Sequence, residues 1–420
     1  MSALRDRLRG ALTQPVSHHG TAVGANVTGL ADLSVLGGEW FDSPHGPGYV
    51  IESVYEGGYQ HGEIPLHRAL DVDTSALASQ GRDDRLQALG ASDFLFLDTE
   101  TTGMGGSGVL VFLAGVARFE GAALRLRQFL LPAPSYEGGL MGGLATELTQ
   151  AGALVSYNGK SFDVPALEAR AVLSRAKLPI RAMPHLDLLH PNRRLFRGVF
   201  DSHRLPEVEV RLLGFEREDD CPSFEVPERY FAFQRSGDPT HIAPVLRHNA
   251  WDVLSLVALM ARLAADCSGE GEALQAARAC EYAGDFQRAA EHYERALETA
   301  RGRAARAELL EKMARCYWRL AAYEDAARCW ERMLSEPRNR RLRPYVELAK
   351  LLEHRLRRKD EALALVNKAV ELAQRGIIRA GEPGSETSME ALLHRQGRLR
   401  RRVVAPVGER PCGGGDTIRP

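Results

Sequence analysis

The sequence predicts a three-layer α/β domain followed by an all-α array, and two observations carry this. Between Phe94 and about residue 265, short apolar runs bounded by turn residues alternate with stretches of helical periodicity, the pattern of strands covered by helices. From about residue 270 the strand signals cease, and Ala, Leu, Glu and Arg dominate with few prolines. A chain of 420 residues with 44% apolar content is long enough for two or three cored domains.

The elements follow in order. Residues 1–90 are rich in Gly, His and Pro, with strand-like pieces such as YVIESVYEGGY. They read as an extension that packs on, or leads into, the domain expected over 91–266. Phe94–Leu97 is a four-residue apolar run ending at Asp98, the mark of a buried strand. Val109–Phe119 and Leu124–Leu131 continue it as a meander, punctuated by Glu120-Gly121. A helix over about 136–150, a strand in ALVSYNG, a helix in PALEARAVLSRA and a short strand in HLDLL come next. Helical periodicity returns near 205–214 and strongly over 243–263.

Self-similarity organises the segment 270–375. YAGDFQRAAEHYERAL, LAAYEDAARCWERML and RRKDEALALVNKAV align, and Ala289, Ala326 and Ala362 recur at intervals of 37 and 36 residues. That period is slightly above the ~34 of tetratricopeptide helix pairs. Small residues at fixed positions let paired helices approach, so a tetratricopeptide-like array able to dock a protein partner is expected, with a four-helix bundle as the alternative. Residues 376–420 are Gly- and Arg-rich, include RQGRLRRR, and read as a disordered basic tail.

Composition excludes several classes. Net charge is -1, so any nucleic-acid surface is local. The six cysteines form no C-x-x-C pair, which favours reduced thiols and a cytoplasmic setting. The N-terminal Leu4, Leu8 and Leu12 fit a short amphipathic helix without the apolar core of a secretory signal. No segment approaches the ~18 apolar residues of a membrane span. The histidines His18, His19, His61 and His67 have no metal-ligand spacing.

Chemistry concentrates in three short motifs. In DTETTG, Asp98 and Glu100 stand two apart at a strand end, hence on one face. Thr101 and Thr102 can turn the chain and offer groups to a substrate. YNGKSFDVPAL places Asp163 at a helix entry, where it can cap the helix, bind metal, or do both. Asn158 fits a turn, and Lys160 either meets a phosphate or faces solvent. HNAWDVLSL puts His248 and Asp252 at i and i+4 on one helix face. Clustered carboxylates are costly without cations, and hard oxygen ligands suit Mg²⁺ or Mn²⁺. Two such ions roughly 3.5–4 Å apart can activate water and stabilise the oxygen leaving a phosphodiester. His248 is suited to take a proton from that water, or is a hydrogen-bonded surface residue. Asp187 supports the site or serves a turn. Arg193, Arg194, Arg197 and Arg204, interleaved with Phe196 and Phe200, either grip a nucleic-acid strand or form a half-buried amphipathic helix.

As a set these motifs resemble the DEDD (DnaQ-like) 3′–5′ exonuclease superfamily of the ribonuclease-H-like fold. YNGKSFDVPAL is similar to its second motif as family B polymerase proofreading domains carry it. His248-x-x-x-Asp252 joins the histidine of one branch to the tyrosine spacing of another. With HLDLLHPNRRLFR (185–197) and DDCPSFEVPERY (219–230), the chain resembles the bacterial YprB-like ribonuclease-H-like exonuclease family over about residues 45–265. The resemblance implies a ribonuclease-H-like domain and metal ligation by Asp98, Glu100, Asp163 and Asp252. It also implies 3′–5′ cleavage of DNA or RNA, at single-stranded or frayed 3′ ends, with two ions. An inactive nucleic-acid-binding scaffold and a ribonuclease-H-type endonuclease are the rival expectations.

Overall fold

Strand β5 shows how this sequence makes a layered domain. In Phe94–Thr101 the side chains alternate: Phe94 and Phe96 enter one buried cluster, Leu95 and Leu97 another. A strand apolar on both faces must be covered on both, and it is. The computed structural model describes residues 32–103, 108–336, 340–382 and 384–404. The expectations for Leu4–Leu12, His18, His19 and the segment 405–420 lie outside these residues.

Among the described residues the chain divides into two compact units, meeting in sequence at Ala283 and Gly284. The first holds a seven-stranded sheet of order β1-β2-β7-β6-β5-β8-β9. Its strands are β1 (Glu39–Ser43), β2 (Gly46–Tyr55), β5, β6 (Val111–Glu120), β7 (Ala123–Leu130), β8 (Ala153–Ser156) and β9 (His185–Asp187). A separate hairpin pairs β3 (Gln60–His61) with β4 (Ile64–Pro65). From β1 to β5 the neighbours are antiparallel, whereas β5, β8 and β9 run parallel.

Helices cover both faces. They are α1 (Thr74–Gly81), α2 (Glu137–Gln150), α3 (Asp163–Ser174), α4 (Leu189–Leu195), α5 (Val226–Ser236), α6 (Ala243–Ser268) and α7 (Ala273–Ala283). Between α4 and α5 a helical turn, Leu205–Val208, runs into a π turn, Glu209–Leu213. Val253, Leu254 and Leu256 of α6 pack with Phe94 and Phe96 on one face. Leu140, Met141 and Leu144 of α2 and Leu167 of α3 pack with Leu95 and Leu97 on the other.

Three expectations are corrected. Residues 32–90 are no mere extension, because β1 and β2 are two of the seven strands. Helix α7 groups with the sheet unit, not with an array starting at 270. Part of the expected tail is helix α13 (Met389–Val404): buried Leu392 and Leu399 anchor it, and Arg395, Arg398 and Arg402 converge on buried Glu353.

The second unit also contains α8 (Phe286–Thr299), α9 (Arg303–Arg319), α10 (Tyr323–Ser335), α11 (Arg343–His354) and α12 (Lys359–Gln374), and each helix packs on the next. Ala289, Ala326 and Ala362 are each the fourth residue of α8, α10 and α12, and all are fully buried. Methyl-sized side chains there permit close helix approach.

Candidate metal centre

Asp98 and Glu100 follow Phe96 on the same face of β5, the face covered by α6. The register of β5 on β6 shifts between Glu100 and Thr101, and this irregularity ends regular pairing beside the acids. Asp163 opens α3. Its carboxylate accepts from the Thr99 amide at 3.0 Å and the Thr99 hydroxyl at 2.6 Å. It is thus tied between the two acids of β5 and is not the cap of its own helix. One turn apart on α6, His248 and Asp252 are both buried and face β5. The candidate ligand atoms of Glu100, His248 and Asp252 lie within 4.8 Å of one another.

Burial and mutual repulsion shape the electrostatics. Asp98 is held well above the ordinary carboxylate range, first by burial, then by Asp252, Asp163 and Glu100. Glu100 is pushed to about 8 by burial and then Asp252, and Asp163 to about 6 by burial, against the opposing Thr99 hydrogen bonds. His248 moves the other way in charge: burial disfavours its cation, but Asp220, Asp252 and Glu100 outweigh that and raise it to about 9. Such a cluster is rich in carboxyl oxygens, and donors of this kind fit Mg²⁺ or Mn²⁺.

Several residues that build the site were not found by sequence reasoning. Asn249 donates to an Asp98 carboxylate oxygen at 2.8 Å, and Gln128 of β7 donates to the Asn249 carbonyl at 2.9 Å. The loop after the π turn brings Asp220 within 2.8 Å of His248 Nδ1. Arg217 donates through Nη2 to Asp252 at 2.5 Å. We assign the Nδ1 proton to the Asp220 contact, so Arg217 Nη1, 3.1 Å from Nδ1, is a neighbouring cation and not a donor to it. His248 then presents Nε2 to Asp252 at 3.4 Å and Glu100 at 3.9 Å. Asp220 lies inside DDCPSFEVPERY, yet nothing local couples it to a histidine 28 positions later.

Comparison with known proteins fits this layout. Residues 95–264 match a family model described as the RNase_H superfamily. The uncharacterized protein YprB of Bacillus subtilis (strain 168) is 32% identical over 334 residues, spanning 76% of this chain and 80% of that protein. The chain belongs to the RNase_H superfamily. A solved family B DNA polymerase from the archaeon Pyrobaculum calidifontis is 16% identical, covers 48% of this chain and is spanned over 29% of its own length, with a TM-score of 0.35. Proteins of the RNase_H superfamily are generally nucleases that use divalent metals.

The remaining expected substrate contacts divide. Thr101 and Thr102 stabilise their own turn, through Thr101 Oγ1 to Gly103 O and the Leu110 amide to Thr102 Oγ1. Asn158 takes a left-handed conformation, and its amide and that of Lys160 donate to buried Asp187 at 2.7 and 3.1 Å. Asp187 therefore pins the loop that delivers Asp163, the turn role among its two expected ones. Lys160, Arg193 and Arg197 have exposed side chains. The expected strand-gripping roles of Arg194 and Phe196 are corrected. Arg194 bonds the Gln80 carbonyl and lies 3.9 Å over the Tyr282 ring, while Phe196 is buried and stacks on Phe200. The half-buried helix α4 explains that spacing.

Proposed function

We propose that this chain is a divalent-metal-dependent 3′–5′ exonuclease acting on single-stranded or frayed 3′ ends of DNA or RNA. One observation supports it above the rest: carboxylates from three separate elements, Asp98 and Glu100, Asp163, and Asp252, meet so closely that their neighbours raise the proton affinity of Asp98 and Glu100. Folding that many acids together is unfavourable unless a cation belongs there.

Asp98, Glu100, Asp163 and Asp252 would hold two Mg²⁺ or Mn²⁺ ions. When bound, such ions supply Lewis acidity and an activated water for phosphodiester hydrolysis. The protein's own part is positional and protonic. Thr99 and Asn249 fix two of the carboxylates, and Asp220 orients the His248 ring. In the metal-free site His248 holds a proton near neutral pH, the wrong form for a base. With cations on Glu100 and Asp252, part of the charge that retains it would be removed; Asp220 would keep the Nδ1 proton, and Nε2 would become the acceptor. Exposed Lys160, Arg193 and Arg197 would meet the phosphate backbone. The second unit would dock a protein partner. The buried cysteines among the described residues form no disulfide, which fits a cytoplasmic setting, and no helix among the described residues is long and apolar enough to cross a membrane.

Linear and circular single-stranded oligonucleotides, incubated with Mn²⁺ or Mg²⁺ and the full chain, test this reading. Stepwise shortening from the 3′ end of linear strands, with circles intact, is expected. Cutting of circles would identify an endonuclease of the ribonuclease H type. Binding without cleavage would identify a scaffold.

A further inference from the structure

The hairpin carrying His61 reaches toward the metal centre through an unbroken run of side chains. His61 is fully buried, and its Nε2 lies 2.7 Å from Ser255 Oγ. Ser255 donates to Glu209 at 2.5 Å. Glu209 takes two parallel bonds from Arg217, at 2.6 and 2.8 Å, and the shared Nη2 of Arg217 then meets Asp252 at 2.5 Å. The single hydroxyl proton of Ser255 goes to Glu209, so the imidazole must donate, which places the His61 proton on Nε2.

Arg217 is not placed to meet substrate. Its side chain is 6% exposed, and Glu209, Asp220 and Asp252 occupy its guanidinium. A buried guanidinium is tolerated only where it is fully paired. Glu209 supplies the bidentate partner, and Glu209 is itself buried and held by Ser255. The hairpin is docked where this matters: the Glu63 amide bonds Leu213 O of the π turn at 2.7 Å. A Cβ on Gly62 would stand 2.1 Å from the same carbonyl, at φ +64. His61 also lies outside the residues 95–264 matched by the family model.

We propose that Arg217 is a positioning residue for Asp252, and that His61, acting through Ser255 and Glu209, is part of its support, so that the β3–β4 hairpin belongs to the metal centre. Arg217 fixes Oδ1 of Asp252 and turns Oδ2 toward Glu100 and His248. A ligand held in this way loses less freedom when it binds a cation. Outer partners of this type typically change metal affinity 10–100-fold when removed.

The inference rests on Asp252 being a metal ligand, and the test separates the two claims. Mn²⁺ binding to the full-length chain is measured by calorimetry, with thermal unfolding in chelator alongside. The parent is expected to bind Mn²⁺ and Asp252→Asn to lose it; a parent that binds none overturns the metal reading and this inference with it. His61→Ala and Ser255→Ala are expected to weaken Mn²⁺ binding about tenfold. His61→Gln, whose amide nitrogen can donate from near the Nε2 position, is expected to restore it. Leu77→Ala, a buried core change in α1, is expected to lower thermal stability and leave affinity unchanged. With the parent binding normally, Mn²⁺ affinity within twofold of the parent in both His61→Ala and Ser255→Ala overturns the role of the hairpin alone. So does an equal loss of affinity in Leu77→Ala, because the effect would then be general loosening. If His61→Ala does not fold, Ser255→Ala and His61→Gln decide by the same criteria.

Discussion

Gly115 of β6 leaves the space that the Asn249 side chain fills. A Cβ there would stand 2.2 Å from Asn249 Oδ1, and Gly115 is the register partner of both Asp98 on β5 and Gln128 on β7. Three adjacent strands thus present an acid, a gap and an amide in one row, and α6 lowers Asn249 into the gap to bond both neighbours. A glycine inside a strand normally weakens it, and here its absent side chain lets an amide from the helix layer reach a carboxylate.

Gly115→Ala is accordingly expected to displace Asn249 and to cost about 1–3 kcal/mol, the range for overpacking a filled interior. Mn²⁺ affinity should fall with it, because Asp98 loses its fixed donor. Denaturant midpoints and calorimetry check both effects; a variant matching the parent in each would show that the amide has room to move.

Thr99→Val keeps the shape of the side chain and removes the 2.6 Å hydroxyl donor to Asp163. The backbone amide bond remains, so the stability loss should stay near ~1 kcal/mol, the net value of one hydrogen bond. Mn²⁺ affinity is expected to drop about tenfold, since the carboxylate is then held at one point only. Unchanged metal binding would mean that the amide alone orients Asp163.

The outline of this site was legible because its acids lie in local patterns. Asp98 and Glu100 end an apolar run, Asp163 stands at a helix start, and His248 and Asp252 share a helix face, so each could be found from its own neighbours. What surrounds them was not legible. Thr99 to Asp163, Gly115 to Asn249, Asp220 to His248 and Arg217 to Asp252 join segments 28 to 134 residues apart, and no short-range pattern records such pairs. The same holds for the fold. The meander and crossover helices have strong periodicity, but β1 is only five residues long and half exposed, so its membership of the sheet depends on pairing with β2. Arg194 and Phe196 misled because an amphipathic helix and a strand-gripping helix share one spacing.

His248→Ala should separate proton transfer from ligation. Loss of a general base is expected to lower turnover ~10²-fold or more at saturating metal. Mn²⁺ affinity should fall far less than in Asp252→Asn. An affinity loss equal to that of Asp252→Asn would make His248 a ligand, a role that its proximity to Glu100 and Asp252 also permits.

The metal-free chain should lose stability as pH rises. Glu100 and Asp163 have folded values of about 8 and 6, above their ordinary ones, and His248 is raised to about 9. In each case the native state holds more protons than the unfolded state, so the stabilisation is present below the ordinary value and is lost as pH rises through the folded value. Cations bind the deprotonated groups, so the Mn²⁺-induced rise in Tm should widen from pH 5.5 to pH 8. A gap independent of pH would contradict the raised carboxyls.

His61 has the opposite sign. Burial, with a smaller contribution from Arg217, lowers its value to about 3, so the native chain keeps it neutral while the unfolded chain protonates it near 6.5. Between those values the unfolded state holds the extra proton. Its contribution is fully present above 6.5 and is lost as pH falls toward 3, at up to about 1.4 kcal/mol per pH unit. His61→Gln retains a donor near Ser255 but cannot titrate, and the carboxylate effects are common to both proteins. The difference in unfolding free energy between variant and parent should therefore shift in favour of the variant as pH falls from 6.5 to 4.5, measured by urea unfolding in chelator. His185, lowered to about 4 chiefly by burial, leaves the variant some acid sensitivity of the same sign. Parallel stability curves for the two proteins over that range would mean that His61 is protonated in the folded state. The proton would then sit on Nδ1, the one ring nitrogen left without a hydrogen-bond partner.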